Sequence, residues 1–163
     1  MQKDFDIWNT FKKQLDERDT NFGLSYQPKQ LWTCSIGINI GSEQDGHGPF
    51  FSRPVLVFKI FNTNVFWGIP ITTRARRNDL YFKFNLGGVD QFAILPQVRL
   101  FSVRRLNRLI TVMPDLEFSK LTESFNGLLP QQSKIPLSGD SQPNLPCDLT
   151  TSILGDNTEQ SSV

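Results

Sequence analysis

The chain of 163 residues has the length of one domain and is short for two, since single domains cluster around ~100 to 150 residues. With 38% hydrophobic and 20% charged residues and 14 phenylalanines, its composition is that of a globular protein with an aromatic-rich core, which excludes a disordered or collagenous chain. The net charge of +1 hides a division: residues 1 to 29 balance five basic groups with five acids, residues 53 to 108 carry ten basic groups against two acids, and residues 130 to 163 carry one lysine against four acids.

From Asp4 to Leu15, apolar Phe5, Trp8, Phe11 and Leu15 recur at helical spacing, and this stripe predicts a short amphipathic helix that Gly23 and Pro28 end. Trp32, Cys34, Ile36, Ile38 and Ile40 then alternate with Leu31, Thr33, Ser35, Gly37 and Asn39, the pattern of a half-buried strand. Gly41 to Ser52, with three glycines and Pro49, reads as a long loop, and long loops often carry function. Pro54 to Phe61 and Val65 to Ile71 flank Asn62-Thr63-Asn64 and predict a hairpin.

Leu80 to Asn85, Phe92 to Leu95 and Val98 to Phe101 are further short strands, interrupted by Gly87-Gly88 and Pro96. Five or six strands without helix-length connections favour a small, mostly antiparallel barrel or half-open sheet over a βαβ arrangement. After Pro114, the spacing of Phe118, Leu121, Phe125 and Leu128 predicts a C-terminal helix on the sheet, with Asp115 and Glu117 suiting its positive end. Residues 130 to 163 have no aromatic group and few apolar ones, so a disordered tail is expected. The expected organisation is a helical extension over 1–29, a folded domain over 30–129 and a tail over 130–163.

No apolar run approaches the ~18 residues of a membrane span, and Met1-Gln2-Lys3-Asp4-Phe5-Asp6 lacks the layout of a signal peptide, so a cytoplasmic protein is expected. Cys34 and Cys147 form no C-x-x-C pair and read as reduced bystanders. One histidine and two central acids are a poor donor set for a metal, and no phosphate-binding P-loop, dinucleotide fingerprint or G-x-S-x-G elbow is present. What remains is Arg53 at a loop-to-strand junction, Thr72-Thr73-Arg74 at a strand end, and Gln97-Val98-Arg99 opening another strand, three sites that could line one groove.

The same stretches carry a family resemblance. Gly41-Ser42-Glu43-Gln44, Arg53-Pro54-Val55-Leu56-Val57, Pro70-Ile71-Thr72-Thr73 and Ile94-Leu95-Pro96-Gln97-Val98-Arg99, in that order, resemble the MazF/PemK toxins of type II toxin-antitoxin systems from about Gln30 to Leu128. The resemblance implies an α+β, mostly β fold, a small SH3-like barrel of the CcdB/MazF kind with a helix at each end, that dimerises. It further implies a metal-independent, cofactor-free endoribonuclease that cuts single-stranded mRNA and inhibits translation, and a cognate antitoxin that blocks the groove and joins the toxin on DNA. Its catalytic residues would be Arg53 and Thr72, with RNA contacts from Glu43, Gln44, Thr73, Arg74, Arg76, Arg77 and Gln97. Eight residues, Asp45 to Ser52, separate the first two blocks, a longer loop than in compact members of the family.

The chemistry follows from the residue types. RNA supplies its own nucleophile, the 2′-hydroxyl, so an enzyme needs to align it with phosphorus and stabilise charge on the phosphoryl oxygens, which Arg and Thr suffice to do. Each residue also has a bland reading: Arg53 as a surface arginine, Thr72 and Thr73 as simple strand formers, His47 as a solvent-facing loop histidine rather than a general base, and Arg104, Arg105 and Arg108 as solvated positive face. Two rival functions remain at this point, a CcdB-like toxin that binds gyrase and a nonenzymatic SH3-like binding module.

Overall fold

The computed structural model describes residues 3–19, 25–74 and 79–130. Arg76, Arg77, Gly23, Cys147 and, apart from Pro130, the expected tail lie outside the described residues. Among the described residues, two helices and seven antiparallel strands run in the order α1 (Phe5–Asp16), β1 (Gln30–Ser35), β2 (Ser52–Ile60), β3 (Val65–Thr72), β4 (Tyr81–Leu86), β5 (Val89–Ile94), β6 (Arg99–Ser102), β7 (Leu106–Val112) and α2 (Asp115–Gly127). Short 3-10 turns, Leu95–Gln97 and Val103–Arg105, flank β6. Among the described residues, no helix is long and apolar enough to cross a membrane. The mostly β class with two helices is as the sequence predicts.

Along the sheet the strands lie in the order β4-β5-β3-β2-β1-β7, with β6 paired to β3. β3 is long enough to divide its partners: Val65 to Gly68 face β6, and Ile71 and Thr72 face β5. Gly68 stands where the sheet is tightest, since a Cβ there would lie 2.6 Å from Val55 Cγ1 and 2.8 Å from Phe101 Cδ2. The expected β2–β3 hairpin is present, with Val55 opposite Pro70 and Ile60 opposite Phe66.

Period-two alternation sorts the apolar side chains into two cores. Leu31, Leu56, Ile69 and Ile71 share one with Met113, Leu121 and Phe125, whereas Trp32, Cys34, Val55, Val57 and Phe66 share the other with Phe101, Val103 and Leu106. The helix α2 covers the first core, its Phe125 ring centroid 4.9 Å from that of Phe58.

The sheet corrects the sequence reading in two places. β1 is not half-buried: Leu31, Trp32, Cys34 and Ser35 are all buried, because β2 and β7 flank it and a core lies on each face. It also stops at Ser35, where the alternation ran on to Ile40. Gly37 adopts φ +91°, a left-handed conformation that breaks the extended run, and Ile40 is exposed. The second correction is a missed strand. Leu106–Val112 pairs antiparallel with β1, with irregularities between Leu31 and Trp32 and between Thr33 and Cys34, and completes the sheet at its edge.

The N-terminal helix begins as its sequence demands, the Asp4 side chain accepting the Ile7 amide at 3.1 Å. Trp8 and Leu15 are buried while Phe5 is exposed. The apolar stripe is therefore real but narrower than four residues.

Candidate functional site

An open groove of about 970 Å³ runs beside the ends of β2 and β3, lined among others by Gln44, His47, Arg53, Thr72, Thr73, Arg74 and Gln97. Arg53 enters it because it is the second residue of β2, opposite Cys34 on β1, and because Pro54 holds it in extended geometry. Its guanidinium is fixed from three sides. Nε donates to the Asp45 carbonyl at 2.9 Å, one terminal nitrogen approaches the Ile71 carbonyl at 3.5 Å, and the other meets His47 Nε2 at 2.8 Å. Burial lowers the Arg53 pKa, Asp45 works against that shift and Arg74 adds to it. The group keeps its charge at neutral pH, since arginine starts above ~12.

Thr72 ends β3, and its hydroxyl oxygen accepts the Arg74 amide at 3.1 Å. That bond uses an acceptor site on oxygen and leaves the O–H free to donate into the groove. Thr73 and Arg74 follow in the exposed turn.

The loop from Gly41 to Ser52 is knit by main-chain bonds. His47 and Ser52 exchange two, at 2.8 and 3.0 Å, and the Gly46 amide reaches the Gly37 carbonyl at 2.7 Å. Phe51 takes φ +47°, a left-handed conformation uncommon for a bulky residue, and its carbonyl accepts both Ile36 and Gly37 amides. Gln97, at the end of the Leu95–Gln97 turn, crosses to the same loop, accepting the Gln44 amide and donating to the Ser42 carbonyl, each at 3.1 Å.

The groove thus brings together Arg53, Thr72, Thr73, Arg74, Gln44 and Gln97. Glu43 does not line it; its carboxylate turns back to accept the Ile40 amide at 3.2 Å. Arg99 is also elsewhere, donating to Asn39 Oδ1 at 3.1 Å and to the Ile36 carbonyl at 2.7 Å, with its guanidinium 4.7 Å from the Phe101 ring. The cationic middle is correspondingly dispersed. Arg105 donates to the Ser35 carbonyl at 2.9 Å and sits over Trp8, Arg104 pairs with Asp16 at 3.2 Å, and Lys83 pairs with Asp90 at 2.7 Å. Arg104 and Arg105 are thus engaged by the fold, whereas Arg108 is exposed on β7.

Among the groove-wall residues that sequence reasoning missed are Tyr81 at the start of β4 and Gln91 on β5. Tyr81 carried a signal, an aromatic at the head of a strand that follows a basic segment. It also missed Asp45, whose carbonyl holds Arg53; nothing in the composition of that loop marks it.

No family model matches the chain, and no curated protein matches it by sequence. Among solved structures it resembles MazF from Deinococcus radiodurans, at 20% identity over 63% of this chain and 94% of that one, with a TM-score of 0.55. It also resembles an endoribonuclease in complex with its cognate antitoxin from Mycobacterial species, at 12% identity over 64% of this chain and 98% of that one, with a TM-score of 0.51. Both neighbours are covered almost whole, so what the chain shares with them is a complete domain and not a local motif. The chain has the fold of the MazF toxins.

Proposed function

We propose that the protein is the toxin of a type II toxin-antitoxin system and a metal-independent endoribonuclease acting on single-stranded RNA. The observation that carries this reading is the groove itself: Arg53, Thr72, Thr73 and Arg74 converge on one open face of a MazF fold. The 2′-oxygen of the substrate attacks phosphorus and loses its proton to a base. The P–O5′ bond breaks, and the departing oxygen takes up a proton. The products are a 2′,3′-cyclic phosphate, open to later hydrolysis to a 3′-phosphate, and a 5′-hydroxyl.

Arg53 supplies the fixed fork of donors that the phosphoryl oxygens need as charge grows on them. Thr72 donates its free O–H to the same phosphate. His47 Nε2 accepts from the Arg53 guanidinium at 2.8 Å; once the substrate phosphate takes over that donor, the freed Nε2 has the chemistry of the proton carrier, a part for which arginine is ill suited. Arg74, together with Arg76 and Arg77, meets the backbone, Gln44 and Gln97 line the path of the strand, and the Tyr81 ring offers a base a stacking partner. An antitoxin that covers this face inhibits the enzyme, and the working species is a cytoplasmic homodimer.

Incubation of the purified protein with mixed-sequence single-stranded RNA in EDTA separates the readings. Cleavage supports the nuclease. An intact RNA with DNA gyrase inhibited favours the CcdB-like toxin, and an intact RNA with no effect on gyrase favours the binding module.

A further inference from the structure

The N-terminal helix makes contacts that the groove does not account for. Lys3, just before α1, donates to the Asn39 carbonyl at 2.6 Å and pairs with Asp45 Oδ2 at 2.9 Å. The other carboxylate oxygen of Asp45 accepts the Asn39 amide at 2.6 Å, and its main-chain carbonyl holds Arg53 Nε. One residue therefore joins the start of the helix, the site loop and the guanidinium. The Lys3 and Asp45 side chains keep only 30% and 29% of their exposure, so this pair is better shielded than an ordinary surface ion pair.

A second set of contacts runs along the helix. Trp8 and Phe11 pack on the loop tip, with ring centroids 5.3 and 5.8 Å from Phe51, and Phe11 reaches Phe50 at 6.1 Å. The indole fits only because residue 37 is glycine: a Cβ there would collide with it. The Arg105 guanidinium also lies over the indole, 5.5 Å from the ring centroid. Phe51 is two residues from Arg53 and holds its left-handed conformation beneath these rings.

We propose that α1 is a clamp on the Gly41–Ser52 loop and that Asp45, tied to Lys3, is a positioning residue for Arg53. With Nε fixed on the Asp45 carbonyl, the two terminal nitrogens are left at the groove in one orientation. Without the tie, the loop and the guanidinium sample several. The proposal rests on the nuclease reading for its catalytic consequence, but not for its structural one.

The test uses the full chain as parent, Lys3→Ala, Asp45→Ala and Lys3→Arg, with two readouts: single-turnover RNA cleavage, and hydrogen exchange of the Asn39 and Gly46 amides. Misplacement of a reacting group by about 1 Å costs as much as 100-fold, so Lys3→Ala and Asp45→Ala are expected to lower the rate constant roughly 10- to 100-fold with RNA affinity little changed. Exchange at both amides accelerates, and Lys3→Arg restores both readouts. The effects of Lys3→Ala and Asp45→Ala are non-additive when combined. Parental rates in a folded Lys3→Ala protein overturn the positioning role, whether or not exchange changes. If the parent leaves RNA intact, the nuclease reading fails, and unchanged exchange in both alanine variants then overturns the clamp separately.

Discussion

Replacing Arg53 by alanine removes a half-buried guanidinium that lines the groove, while leaving every other cation in place. Its Nε bond to Asp45 and its contact with His47, at 2.9 and 2.8 Å, show a side chain held in one geometry, as a charge stabiliser must be. Loss of one well-placed donor costs on the order of 3 kcal/mol of transition-state stabilisation, or roughly 150-fold in rate. The stability cost is about 1 kcal/mol, the typical net contribution of one part-buried hydrogen bond such as that from Nε to the Asp45 carbonyl. Arg53→Lys keeps the charge, but a single ammonium does not hold Asp45 and fork onto a phosphate together, so its rate falls too. Single-turnover cleavage at saturating RNA, RNA affinity and the thermal midpoint, measured for all three proteins at one salt concentration, separate these effects. The expected result is a large fall in rate with affinity changed only a few-fold. Near-parental cleavage by a folded Arg53→Ala protein refutes the reasoning and removes Arg53 from the site.

Because Arg99, Arg104, Arg105 and Lys83, four of the ten cations between residues 53 and 108, are engaged within the protein, about six are left for phosphates, and the slope of log affinity against log salt is expected near −4; a slope near −7 or a flat line contradicts that partition. Leu121, on the inner face of α2, is wholly buried, so Leu121→Ala is expected to lower unfolding free energy by about 2 to 5 kcal/mol in urea titrations, and a loss under ~1 kcal/mol shows that α2 does not carry that core. Burial pushes the Cys34 thiol up to about 12, from an ordinary value near 9. The folded state then keeps a proton that the unfolded chain gives up, and stability is lost progressively as pH rises from about 9 towards 12. The decline is expected to be shallower in Cys34→Ala, and parallel declines in the two proteins refute the assignment.

Much of this architecture was legible where one residue type repeats at one period. Phe5, Trp8, Phe11 and Leu15 announced α1, and Asn62-Thr63-Asn64 between two β-branched runs announced the β2–β3 hairpin. β7 escaped notice because Leu106-Asn107-Arg108-Leu109-Ile110-Thr111-Val112 does not alternate. It is an edge strand whose register with β1 is irregular, and Leu109, Ile110 and Val112 are exposed. Arg99 and Arg105 were misread for a different reason. A sequence counts their charges but does not show the carbonyls of Ile36 and Ser35 that receive them. In the groove, residue identities were readable from the four ordered blocks, but the tie from Lys3 through Asp45 to Arg53 was not, since it depends on a main-chain carbonyl and on a helix folding back over 40 residues of chain.

The most direct measurement of the central claim is end-group analysis of an RNA oligonucleotide incubated with the protein in EDTA, beside the same oligonucleotide carrying a 2′-O-methyl group at the cleaved position. Attack by the 2′-oxygen predicts a 5′-hydroxyl on one fragment, a 2′,3′-cyclic phosphate or 3′-phosphate on the other, and no cleavage at the methylated position. A 5′-phosphate with a 3′-hydroxyl, or undiminished cleavage of the methylated strand, contradicts the account.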